Sequence, residues 1–280
     1  MITVTLATVA GLGVYCVCFY AGDFGRGWSV ALGTGAFLAV QIFFSLAMRK
    51  RVMAEMGKVQ RILETGQKAL QAKTARWQFR PPGSMQQAQN EIARDTKVFV
   101  KEAIAAVDSL KKFKIWVPMI EKQMATARLQ LEWMIKDFDA VDADMKKAIV
   151  ADGTMAAMFV ARAHMRGEGL DAIRKTYSKY SKRLKYNENA LIAGAWSWIL
   201  VKKGLSEKDA AASKALYDEA FKVLTEALKN SDNPQLKANH VSLMNNRPGH
   251  FTNSGLGDRW YSLWLEEPKN RAPRQHMKYR

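Results

Sequence analysis

Hydrophobic and polar positions divide this chain at Met48. Ile2–Tyr20 and Trp28–Met48 carry no charged residue, and the break between them, Ala21-Gly22-Asp23-Phe24-Gly25-Arg26-Gly27, is short and polar. Each run is about the length of the 20 residues that cross a hydrocarbon core at 1.5 Å per residue, where helices satisfy their own backbone groups. The pattern predicts a transmembrane helical hairpin over residues 1–48. A cleaved secretory signal fits less well, because Met1-Ile2-Thr3 places no Lys or Arg before the apolar run and a second run follows directly. A buried hairpin in a soluble protein is the other reading. Tyr15, Tyr20 and Trp28 near the ends, where aromatic rings sit at headgroup level, favour the membrane. Small residues at Ala7 and Gly11, and at Ala31 and Gly35, are expected to let the two backbones approach. Gln41, the one clearly polar side chain deep in the second run, is expected to bond across the pair.

Past Met48 the period changes. Val52, Met56, Val59, Ile62, Leu63, Ala69 and Leu70 recur at three- and four-residue steps, so the second span is expected to run on as one helix to about Arg76. Arg80-Pro81-Pro82-Gly83 ends it, because proline removes a donor and disfavours helix before it. Ser84 is the expected N-cap of a helix over 85–112, with Ile92, Val98, Phe99, Ile104, Val107 and Leu110 as its apolar face. Residues 49–117 thus form membrane-proximal helices.

Ala93, Ala127, Ala161 and Ala195 follow one another at a spacing of thirty-four residues. Around them, Lys136-Asp137-Phe138-Asp139-Ala140 reads as a turn into a helix. Val160–Ala172, with Gly167 and Gly169, reads as helix, glycine turn and second helix. Ala220–Leu228 before Asp232-Asn233-Pro234 reads as a helix closed by proline. Residues 118–234 therefore resemble the tetratricopeptide repeat family, whose period is about 34 residues. The resemblance implies an all-α fold: a solenoid of helix pairs with a concave face lined by first-helix side chains, which binds a protein partner. Equivalent first-helix positions give Arg94, Arg128, Gln130, Arg162, His164 and Trp198 as partner-binding candidates, with core packing as the competing role for Trp196 and Trp198. The chain departs from the family in several places. Gln130 and His164 stand where an aromatic is typical, and Gly204–Asp209 lengthens the last unit. An irregular helical bundle remains the alternative arrangement.

A short helix is expected over 235–246, a loop to Asp258, and then the aromatic segment Arg259-Trp260-Tyr261-Ser262-Leu263-Trp264-Leu265, so that 235–267 caps the array. Residues 268–280 hold five basic residues and no acid, and read as a basic, poorly ordered tail.

Charge sets orientation and partners. Arg49, Lys50, Arg51, Lys58 and Arg61 follow the second run and hold the following chain on the cytoplasmic side of an inner membrane, as membrane-surface residues facing anionic lipid. The formal net charge of +17 suits anionic lipid or an acidic protein segment. Nucleic acid is disfavoured, since the basic residues are dispersed and no nucleic-acid motif accompanies them. Cys16 and Cys18, the only cysteines, lie in the first apolar run and build neither a disulfide framework nor a metal site.

Chemistry is sparse. Gly167-x-Gly169-x-x-Ala172 follows a helical pattern rather than a strand, so it reads as a turn and not a nucleotide loop. Asp137, Asp139, Asp142 and Asp144 lack the glycine and terminal glutamate of a calcium loop and suit a helix start. His164, His240, His250 and His276 fall at no metal-ligand spacing. The expectation is no enzyme, no cofactor and no metal. The chain reads as a membrane-anchored adaptor that binds a protein partner at the cytoplasmic face. The alternatives are a structural subunit of a larger membrane complex or oligomer, packing through its hairpin, and a tether of nucleic acid to the membrane.

Overall fold

The computed structural model describes residues 2–22, 25–80, 82–117, 119–184 and 189–267. Among the described residues the chain is all-helical, without a strand. It divides into two compact units, Met1–Ile149 and Val150–Arg280. The expected basic tail, including His276, lies outside the described residues.

The first unit holds α1 (Ile2–Tyr20), α2 (Arg26–Arg76), α3 (Met85–Asp108), a 3-10 turn at Ser109–Phe113, α4 (Ile120–Met134) and α5 (Phe138–Met145). α1 and the apolar part of α2 are long and apolar enough to cross a membrane, and only 17% and 6% of their most apolar stretches are buried within the protein. They pack antiparallel. A Cβ built at Gly11 would lie 2.9 Å from the Gly33 carbonyl oxygen, and one at Gly33 equally close to that of Gly11. Thr3, Ala7 and Gly11, at four-residue steps on α1, are buried, as are Ser29 and Gly33 on α2. Ala31 and Gly35 are exposed instead. The expected pair was two residues, or about 200°, round the helix from the true contact. The side-chain oxygen Oε1 of Gln41 is enclosed and accepts no hydrogen bond within the described residues, so it takes no part in the bond expected across the pair.

α2 continues unbroken to Arg76, about 75 Å of helix at 1.5 Å per residue. Its polar half packs on α3. The two meet where Gly66 leaves room for the Phe99 ring, which a Cβ at Gly66 would run into. Lys73 Nζ then bridges to Glu91 at 2.9 Å and Asp95 at 2.7 Å. Ser84 caps α3 as expected, its hydroxyl accepting from Gln87 N at 3.1 Å. The buried face of α3 is Phe99, Val100, Ala103 and Val107, whereas Val98 is exposed. Met48, the last residue of the apolar run, joins this core with Leu110, Phe113, Ile120, Met124 and Leu131.

The second unit holds α6 (Gly153–Met165), α7 (Leu170–Ser181), α8 (Asn189–Ser206), α9 (Ala210–Leu228), α10 (Pro234–Met244), 3-10 turns at Pro248–His250 and Ser254–Leu256, and α11 (Asp258–Tyr261). α8 is its centre: Leu191–Val201 are all buried, and α6, α7 and α9 pack on it. Ala161 and Ala195 are fully buried, Ala127 is half-buried and Ala93 is exposed.

Helix ends follow local chemistry. Asp137, Asp152, Asp209 and Asn233 each cap a helix through the side chain. Gly167, at φ +69°, ends α6 in a turn where Glu168 N donates to Ala163 O and Gly167 N to His164 O, and Gly169 is the N-cap of α7. Pro234, expected to close α9, instead opens α10, where its missing N–H costs nothing.

Candidate functional site

Glu132 and Asp144, the buried charged residues among those described, lie on α4 and α5. Arg128 and Glu132 stand four residues apart, hence on one helix face. Arg128 makes a two-pronged contact with Asp144 of α5, Nε to Oδ2 at 2.7 Å and Nη2 to Oδ1 at 2.8 Å, while Nη1 donates to Asp108 of α3 at 2.9 Å. One guanidinium therefore ties three helices, through the planar fork that suits carboxylates. Asp144 is buried, and the paired acids raise the Arg128 pKa, so the guanidinium stays charged.

Glu132 has no such relief. It is only 7% exposed, and its Oε2 has no hydrogen-bond partner among the described residues. Burial first, and then the Asp144 charge, push its pKa up to about 7 against the pull of Arg128. The result is an enclosed carboxyl that exchanges a proton near neutral pH. No group of three or more His, Cys, Asp or Glu among the described residues is arranged to hold a metal ion.

The other expected partner-binding residues are scattered. Arg94 on α3 and Gln130 on α4 are exposed, Arg94 lying 3.8 Å from Asp95. In the second unit Arg162 is half-buried on α6. His164 meets Trp198 edge to face, with ring centres 6.2 Å apart, and burial lowers its pKa. Trp198 is itself buried, packs against Trp260 at 5.8 Å, and carries the Lys202 ammonium 5.4 Å above its ring. The basic residues after the apolar run all lie exposed on α2: Arg49, Lys50, Arg51, Lys58 and Arg61. Lys58 pairs with Glu55 at 2.8 Å.

The sequence offers Arg128 as a partner-binding residue, whereas the fold occupies its guanidinium with Asp108 and Asp144 beside Glu132, none of which the spacing points to. A signal existed: Glu132 sits inside Leu129-Gln130-Leu131-Glu132-Trp133-Met134, an acid amid apolar neighbours at four-residue spacing from an arginine.

Compared with models of known families, with curated proteins and with solved structures, the chain finds no match.

Proposed function

We propose that the protein is a membrane-anchored adaptor whose α1–α2 hairpin spans an inner membrane and whose helical domain binds a protein partner at the cytoplasmic face. The observation that carries the anchor is the fate of the apolar helices. In a soluble fold their surfaces would be covered, yet little of either is buried, and Leu12, Val17, Leu38, Ile42, Phe43 and Leu46 are exposed. Lipid is the solvent that removes the cost of such surfaces. The exposed Arg49-Lys50-Arg51 then fall at the cytoplasmic headgroups.

The adaptor role is supported by the helix pairs α4–α5, α6–α7 and α8–α9, with Ala127, Ala161 and Ala195, three of the four alanines at thirty-four-residue spacing, on the first member of each pair. Tetratricopeptide-like pairs present their first helices to ligands. Arg94 and Gln130, both exposed, are the candidate contacts that cost the fold least to use, and an acidic partner segment complements the basic chain. Co-purification from detergent tests this reading. A bound protein lost on Arg94→Glu with Gln130→Glu, with the helical content unchanged, supports it. A partner lost only when the hairpin sequence is exchanged points instead to packing within a larger membrane assembly.

A further inference from the structure

The connection between α3 and α4 carries apolar side chains that the fold leaves uncovered, beside the end of the apolar half of α2. Trp116 stacks on Phe44, with ring centres 6.2 Å apart and planes 15° from parallel. Phe44 belongs to the uncharged run that ends at Met48 and stands five residues before Arg49, so it lies about 7.5 Å along the helix axis inside the first basic residue. A residue more than seventy positions away in sequence is thus held at the depth of the span. Ile115 and Met119, on either side of that tryptophan, are 56% and 55% exposed.

We infer that this connection, Lys114–Val117 together with Met119, is a third point of membrane contact, seating Trp116, Ile115 and Met119 in the interface of an anionic bilayer. The inference rests on the reading of α1 and α2 as spans and adds a lipid-facing surface to it. Three observations identify lipid as the occupant. The Trp116 ring lies against the span itself, in the zone where amphipathic indoles concentrate. Met48 is buried in one core with Leu110, Phe113 and Ile120, so the first unit meets the apolar run without an intervening linker. Arg49, Lys50 and Arg51 stand exposed at the same level of α2, and none of them forms an ion pair among the described residues. The nearby Lys111, Lys112 and Lys114 are occupied by Asp108, Glu55 and Glu121, which leaves the apolar side chains and the α2 basic residues to face the headgroups.

The test uses the full chain in vesicles of phosphatidylcholine and phosphatidylglycerol. Cys16→Ser and Cys18→Ser remove the native thiols, and single cysteines replace Ile115, Met119, Ile42 in the span, or Glu207 in the second unit. Each carries a fluorophore. The expected result is that labels at Ile115 and Met119 are quenched by lipids bearing a spin label near the headgroup, and are several-fold less open to aqueous iodide than the label at Glu207. Labels at Ile115 and Met119 as open to iodide as that at Glu207, while Ile42 stays quenched from the lipid, would overturn the contact and leave the anchor standing. A label at Ile42 that no lipid-borne quencher reaches would remove the anchor, and this contact with it.

Discussion

Replacing Glu132 with glutamine isolates the cost of enclosing a carboxylate. In the folded chain its pKa stands at about 7, against an ordinary value of 4.5, because burial and Asp144 disfavour the charged form. Between those values the folded state binds the proton that the unfolded state releases, so stability falls as pH rises from about 4.5 to about 7 and is level above that. At 1.36 kcal/mol per unit the difference is a little over 3 kcal/mol, and solvent screening brings it to about 1–3 kcal/mol. Glu132→Gln keeps the shape and abolishes the charge. At pH 5 the variant and the parent should unfold at similar temperatures. At pH 8 the variant should be more stable by that amount, or about 2–10 °C for a chain of this size. Thermal unfolding of the full chain in one detergent, followed by circular dichroism, reads the difference with the detergent effect common to both. A gap between variant and parent that is the same at pH 5 and pH 8 would refute the reasoning.

Three further substitutions probe packing. Gly66→Ala puts a methyl group into the Phe99 ring and should cost about 1–3 kcal/mol despite the better helix propensity of alanine, as measured by the same unfolding assay. Asn253 is fully buried, donating to Gly194 O and accepting from Asn239 Nδ2, both at 2.8 Å. Asn253→Ala leaves Asn239 Nδ2 without its acceptor, while Gly194 O keeps the Ser197 hydroxyl as a donor, and should cost about 1–3 kcal/mol, with faster hydrogen exchange in α10 and the loop after it. Lys136 holds a left-handed φ of +58° where α4 ends, with Asp137 N donating to Glu132 O. Lys136→Gly should raise the unfolding temperature, through about 0.5–1.5 kcal/mol of relieved strain.

Features governed by a few neighbouring residues were legible in the sequence. Ser84 capped α3 because a hydroxyl three residues ahead of an amide needs no tertiary context. The unbroken passage of α2 from apolar to amphipathic sequence was readable because nothing between Arg26 and Arg76 stops a helix. Rotational phase was not readable. Ala31 and Gly35 are as small as Ser29 and Gly33, and only the partner helix decides which pair is used. Val98 and Val100 posed the same choice on α3. Pro234 can follow one helix or open the next, and Asn233 capping the amides of Gln235 and Leu236 settled it. The candidate site was not legible: the spacing marked Arg128 for a partner, but its carboxylates come from α3 and α5, which only folding brings to α4.

The central claim is that α1 and the apolar half of α2 cross a bilayer twice and leave the helical units on one side. Labelling of single cysteines in sealed, right-side-out vesicles tests it most directly, with Cys16→Ser and Cys18→Ser as background and Gly22→Cys compared with Ser206→Cys. A membrane-impermeant maleimide should label Gly22→Cys on intact vesicles and Ser206→Cys only after the membrane is opened. Labelling of both before opening, or recovery of the full-length chain in the supernatant without detergent, would contradict the claim.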